Sequence, residues 1–374
     1  MLERLGVSWD LARFALLLFT ATRLAFVAIT LLATRFLRPI GPRATSFVDA
    51  WARFDATYYA RLARDGYQPT VLWRTAFFPL QPLATRIVLP LAGGNIYLAG
   101  IVVANLSYFA ALLGLAALVS HEHDAAVARR AMLYLSLFPT AFFLFAGYAE
   151  SLFLALAIWC FVALRRGGWW QAAVLGMLAA LTRQMGCFLV LPFAYEYLAR
   201  IHWRPRALRV DALWVLLIPT GILLFMGWLA ITVGDPLAFV HAEHYWQHTF
   251  EPPWLTLWWA LRALPHAPDT IILLKSLVDL GAVVLFAGLI VLGIRRMRPG
   301  DTLFCAAVWL LAVCYPTLGW TLQSDARYML AAFPCFVLLA REGRRPWLNV
   351  LILGFSGLAL LVMTQYFVRG AVIL

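Results

Sequence analysis

"RFDATYYARLARDGY", residues 53–67, holds three arginines, two aspartates and three tyrosines between strongly apolar stretches. Whether such a segment lies across, within or beside a membrane decides the fold. The surrounding chain of 374 residues is 63% hydrophobic and 13% charged, with a mean hydropathy of +0.82. Soluble domains carry roughly 25% charged residues, so the composition excludes an ordinary soluble enzyme and describes a polytopic membrane protein. Apolar runs of about twenty residues recur along the chain, as a hydrocarbon core of about 30 Å requires. No polar block is long enough for a separate soluble domain, and a single integral-membrane unit over 1–374 is expected. Glu3, Arg4, Asp10 and Arg13 lie before or at the start of the first run, and no small-residue cleavage site follows it. A removable signal peptide is therefore not expected. Cys160, Cys187, Cys305, Cys314 and Cys335 fall in or beside apolar runs without metal-like spacing, which suits packing.

The arginines set the topology. About eleven spans are expected, at roughly 14–36, 96–119, 128–146, 150–165, 169–182, 187–199, 211–233, 270–294, 302–320, 328–341 and 347–368. With the N-terminus cytoplasmic, Arg4, Arg13 and the loops at 129–130, 165–166, 200–209, 295–298 and 341–345 share one side. They hold 16 of the 30 basic residues, in short loops where the positive-inside rule operates. Every basic residue except Lys275 is arginine, and eight arginines lie on the opposite face between Arg35 and Arg86. Either they contact anionic headgroups, or this outer face handles a phosphate-bearing lipid, for which the planar guanidinium fork is suited.

On this topology residues 53–67 belong to an outer loop, 37–95. On a helix Asp55, Tyr58, Tyr59 and Leu62 share one face, while Arg53, Arg61 and Arg64 project sideways toward headgroups. That pattern fits a helix in the interfacial plane. "AFFPLQPLATRIVLPLAGG" (76–94) is long enough to cross, but crossing would invert every later loop. A second interfacial or re-entrant helix is expected, with Pro79 and Pro82 breaking its regularity.

The remaining outer loops collect polar residues. "AGYAESLF" (146–153) supplies Tyr148 and Glu150, and "LTRQMG" (181–186) supplies Arg183 and Gln184. "GDPLAFVHAEHYWQHTFEPPW" (234–254) opens a second long outer loop, 233–269, and "LQSDARYMLAAFP" (322–334) supplies Asp325, Arg327 and Tyr328. Ionisable groups at membrane depth usually face a cavity or a partner, so their gathering on one side points to one outer-leaflet site. Lys275 and Asp279, four apart in an expected span, suit mutual neutralisation.

Five of these pieces, in order, resemble the PIG-V family of mannosyltransferases, the group containing GPI mannosyltransferase 2 and its bacterial relatives. "FDATYYARLARDGY" is similar to its W-D-x-x-x-Y…I-A-x-x-G-Y segment and "AFFPLQPLATR" to F-F-P-L-Y-P-L. "FPTAFFLFAGYAESLF" resembles P-x-A…Y-S-E-S-L-F, "LTRQMG" resembles T-R-x-x-G, and "DARYMLAAFP" resembles R-Y…P. The pieces lie within residues 51–334. Phe54 stands where the family has tryptophan, and His248 where an arginine is expected after the tryptophan.

The resemblance implies an all-α GT-C glycosyltransferase fold in the cell's inner (plasma) membrane, its active site facing the outside or periplasm. It implies inverting transfer of mannose from a polyprenyl-phosphate carrier to a hydroxyl of a lipid or glycan acceptor. Asp55 matches the family's catalytic aspartate and is the expected general base, since a sugar hydroxyl attacks well only as a carboxylate takes its proton. Arg183 and Arg327, with Tyr328 and Arg61, are the expected clamps for the donor phosphate, whose growing charge needs cations. Glu150 either orients the acceptor or pairs with Arg183. Tyr58, Tyr59, Tyr148, Gln184, His244, Trp246 and Asp325 are candidate substrate contacts. No cofactor is expected, although His241, His244 and His248 at i, i+3 and i+7 could hold a metal on one side of a helix. A transferase using another polyprenyl-phosphate sugar, or a transporter or flippase of the carrier lipid, remain open alternatives.

Overall fold

The computed structural model describes residues 6–317 and 322–372; Glu3, Arg4 and the end of the expected span 302–320 lie outside them. Among the described residues all regular structure is helical, with one isolated bridge between His248 and Thr317.

The chain opens with α1 (Trp9–Phe36), whose Ser8 side chain accepts the Leu11 amide. The first long loop then holds α2 (Phe47–Trp51), α3 (Asp55–Asp65) and α4 (Leu80–Val88). Pro82 does not break α4: it sits in the first turn, where its missing N–H is not needed, and Pro79 stands just before it. Asn95 caps α5 (Ile96–Ser120) and Asp124 caps α6 (Ala125–Ser136), each side chain accepting otherwise orphaned first-turn amides. Next come α7 (Glu150–Arg166), α8 (Trp169–Thr182), α9 (Val190–Arg200) and α10 (Leu217–Thr232). The second long loop carries the short α11 (Ala238–His241) and α12 (Pro253–Ala263). Asp269 caps α13 (Thr270–Arg296), which is followed by α14 (Pro299–Val313), α15 (Asp325–Tyr328), α16 (Phe333–Glu342) and α17 (Pro346–Val368).

Among the described residues five helices are long and apolar enough to cross a membrane: α1, α5, α10 with the 3-10 turns leading into it from Val210, α13 and α17. The other expected spans are made of shorter pieces. The stretch 128–146 is helical only to Ser136, because the residue before Pro139 is pushed from helical geometry. The stretch 328–341 is likewise split into α15, a 3-10 turn (Met329–Ala331) and α16.

Burial separates the inner helix from the outer ones. α5 buries 61% of its most apolar window and runs through the centre, whereas α10 and α17 each bury 22% and α1 28%. Leu16, Leu24 and Leu31 of α1 and Val350, Phe355 and Leu358 of α17 face outward. Such apolar faces suit lipid chains. Close inner contacts rely on small residues: a side-chain carbon on Gly147 would stand 3.2 Å from the Gly100 carbonyl carbon of α5.

Charge gathers at both ends of α7, about 22 Å apart at 1.5 Å per residue. At its C-terminal end Arg165 binds Glu122 (2.8 Å), Glu196 (2.7 Å) and Asp301 (2.6 Å), while Arg298 reaches Glu122 (2.9 Å) and Glu196 (3.0 Å). This network ties α7, α9, α14 and the turn after α5 together. Glu150 begins the other end.

Candidate active site

The first long loop is held down by Trp51. Its indole Nε1 donates to Thr30 Oγ1 of α1 at 3.1 Å, and its ring packs on Phe145 with centroids 4.4 Å apart. Phe54 then takes φ +47°, a conformation most side chains avoid, and Asp55 opens α3 immediately after it. The tight pairing of Gly147 with Gly100 brings Glu150 to the same level. Arg183 ends α8, its N–H bonding Ala179 O at 3.0 Å, and the next turn folds Gly186 back against Ala180. Arg327 arrives on α15 after Ser324, at φ +65°.

These four side chains make one alternating row of charge. Asp55 Oδ2 accepts from Arg327 Nη1 at 2.6 Å, Arg327 Nε lies 3.3 Å from Glu150 Oε1, and Arg183 Nη1 donates to the same Glu150 oxygen. Glu150 and Arg327 are the deepest, at 5% and 7% side-chain exposure, and Asp55 and Arg183 are more open at 15% and 16%. Aromatic rings flank the cations: Arg327 stands 5.1 Å from the Phe143 ring centre and Arg183 5.1 Å from that of Tyr328. Two positive and two negative groups balance one another, as burial demands.

The row forms part of the wall of a cavity of about 340 Å³. Of the residues expected at the site, Asp55, Tyr59, Arg183, Gln184, Trp246, Arg327 and Tyr328 line it. Glu150 lies behind the two arginines, so of its two expected roles the structure displays the pairing with Arg183. Tyr58 stands one layer back, its ring 5.7 Å from Trp246 and 4.8 Å from Trp73. Burial, with the Asp55 carboxylate nearby, raises the Tyr58 hydroxyl above its ordinary value, and burial does the same for Tyr59. Both stay protonated donors at neutral pH.

Other expected contacts lie elsewhere. Tyr148 is fully buried and donates its hydroxyl to Arg53 O at 3.1 Å. Arg61 is exposed on the outer side of α3, and His244 is exposed on the second loop; neither lines the cavity. Asp325 is buried beside a different cluster, in which Lys275 Nζ meets Asp279 Oδ2 at 3.1 Å and Asp279 Oδ1 accepts the Ala326 amide at 2.8 Å. The mutual pairing of Lys275 and Asp279 follows the i, i+4 expectation.

The histidine expectation needs correction. α11 ends at His241, a 3-10 turn covers Ala242–His244, and Gln247 at φ +55° turns the chain before His248. The three histidines therefore do not share one helix face. His241 pairs with Asp235 at 2.7 Å, a bond that holds the Asp235 carboxyl below its usual range, and His248 pairs with Glu243 at 2.9 Å. Among the described residues no group of three or more His, Cys, Asp or Glu is placed to hold a metal ion.

Several cavity residues escaped the sequence reading. Glu243, Tyr315, Gln323 and Ser324 line it, as do Phe77 and Phe78 of the 76–94 segment. Trp246 joins the two long loops: its ring meets Phe77 at 6.0 Å and Trp73 at 6.2 Å, and its buried indole N–H has no hydrogen-bond partner among the described residues. No residue type in the sequence marks these cavity residues, and the feature they share is structural. Phe54, Gln247 and Ser324, three of the five described non-glycine residues at positive φ, each adjoin a cavity segment.

Residues 16–253 match the family described as Mannosyltransferase (PIG-V). The matched span contains Asp55, Glu150, Arg183 and Trp246, and Arg327 lies beyond it. No curated protein matches the chain.

Proposed function

This chain belongs to the PIG-V mannosyltransferase family, and on that premise we propose that it moves mannose from a polyprenyl-phosphate carrier to an acceptor hydroxyl, with inversion. The carrying observation is the row Asp55–Arg327–Glu150–Arg183 at the wall of one cavity. The acceptor hydroxyl attacks the anomeric carbon on the face opposite the phosphate. Asp55 takes the hydroxyl proton, the new carbon–oxygen bond forms, and the old bond breaks with its electron pair leaving on the phosphate. Arg183 and Arg327 meet that growing charge, which supports phosphate rather than a separate acid at the leaving group. Glu150 holds both arginines in place, and Tyr59, Tyr328, Gln184 and the Trp246 N–H offer hydroxyl, amide and ring contacts to the sugars.

In this reading the shorter helices complete about eleven crossings, α3 and α4 lie in the interface, and the cavity opens on the outer leaflet of the inner membrane, with the N-terminus cytoplasmic. The acceptor is a lipid or glycan hydroxyl, and no metal takes part. The test uses purified protein, radiolabelled polyprenyl-phosphate mannose and a membrane lipid extract. Asp55→Asn should lower transfer about 10²- to 10⁴-fold, the usual contribution of a general base. Equal turnover by both proteins would remove Asp55 from the mechanism. Donor binding without transfer by either would favour a carrier-lipid transporter.

A further inference from the structure

Asp55 and Arg327 are in direct contact at 2.6 Å, yet the proposed reaction needs them on opposite sides of a sugar. In a single displacement the attacking oxygen waits about 3 Å from the anomeric carbon, on the face away from the phosphate. A base bonded to that oxygen and a cation bonded to the phosphate are separated by the sugar ring. The contact between them cannot persist when both substrates are in place.

We propose that Arg327 is a shared counter-ion that passes from Asp55 to the donor phosphate, so that donor binding frees the base for the acceptor. The inference rests on the phosphate reading given above. Three features carry it. Arg327 Nε lies 3.3 Å from Glu150 Oε1, an ion pair without a hydrogen bond, so the guanidinium keeps an anion beside it when its Nη1, on Asp55, changes partner. Asp55 and Arg327 both line the cavity, whereas Glu150 does not. Finally, the exchange follows the charge of the reaction. As Asp55 gains a proton it stops being an anion, and the leaving phosphate gains one negative charge at the same moment. Arg327, already moved to the phosphate when the donor binds, meets that added charge, and no buried cation is left unpaired at either step. The acceptor hydroxyl is then deprotonated only with donor present, which also protects the site from idle proton transfer.

Coupling of this kind is reciprocal. If phosphate must displace Asp55 from Arg327, removing the Asp55 charge must tighten phosphate binding. The probe is a short-chain polyprenyl phosphate without sugar, titrated calorimetrically against detergent-solubilised protein at fixed ionic strength. Asp55→Asn should bind it about 5- to 150-fold more tightly than wild type, the range typical of such coupling. Asp55→Glu, which keeps the charge, should stay within about twofold of wild type. In an Arg327→Gln background the Asp55→Asn gain should vanish, because a double-mutant cycle isolates the pair. Equal affinity of wild type and Asp55→Asn overturns the exchange and leaves the transferase reading standing. A gain that survives in Arg327→Gln also overturns it, since simple repulsion would then suffice. No binding by any of the proteins overturns the phosphate reading, and the exchange with it.

Discussion

Gly186 offers a test of how tightly the site is built. It closes the turn after Arg183, and its N–H bonds Arg183 O at 2.9 Å. A side-chain carbon there would stand 2.5 Å from Ala180 Cα, and closer still to the Ala180 nitrogen and the Ala179 carbonyl carbon. All three are backbone atoms of α8, so no flexible side chain can swing aside. Restoring ordinary contact, which begins at 3.4 Å, needs the turn to move about 1 Å off the helix end. Gly186→Ala should therefore cost about 1–3 kcal/mol through overpacking. Arg183 would be carried with the turn, away from Glu150, and a misplacement of about 1 Å can cost on the order of 100-fold in rate. The assay pairs thermal unfolding in detergent with radiolabelled mannosyl transfer. Gly186→Ala with wild-type melting and transfer would refute the close packing of this turn, and with it the account of how Arg183 is placed. Wild-type melting with transfer down by two orders would place the effect wholly on arginine geometry.

Other substitutions separate the two charged ends of α7. Glu150→Gln leaves Arg183 and Arg327 without their common anion, so it should destabilise by about 3–5 kcal/mol, seen as a lowered melting temperature alongside reduced transfer. Arg165→Met leaves Asp301 without its arginine while Arg298 still serves Glu122 and Glu196; melting should fall by a similar amount. Protein that remains folded should retain its donor KM, because the network is about 22 Å from Glu150 along α7. Trp246→Ala removes the ring between the long loops, and aromatic pairs are worth about 0.5–1.5 kcal/mol each. Its expected signature is a raised acceptor KM with unchanged affinity for polyprenyl phosphate, measured by initial rates and calorimetry.

Much of the scaffold was legible because membrane helices obey local rules. Apolar length marked α1, α5, α13 and α17 within a few residues, while the caps Ser8, Asn95, Asp124 and Asp269, which begin α1, α5, α6 and α13, went unread. Where proline interrupts an apolar run the pattern misled. Pro139 divides one expected span, whereas Pro82 fits harmlessly into the first turn of α4. The three histidines failed for a related reason, since helical spacing means nothing once Gln247 takes a positive φ.

By itself, then, the sequence determined a membrane protein of this family, the order of its polar segments, and that Asp55 lies in the first long loop while Glu150, Arg183 and Arg327 stand at ends of apolar runs. Their meeting is a tertiary fact. Asp55 and Arg327 are 272 residues apart in the chain and 2.6 Å apart in the fold. Asp325 and Arg327, two residues apart on α15, go to different clusters. The helical rotation of about 100° per residue turns them to nearly opposite sides. One faces Lys275 and Asp279, the other Asp55 and Glu150. Which side holds the cavity depends on α13 and α14 packing against that short helix while α3 and α7 bring Asp55 and Glu150 to Arg327, and long-range packing leaves no periodic mark in the sequence.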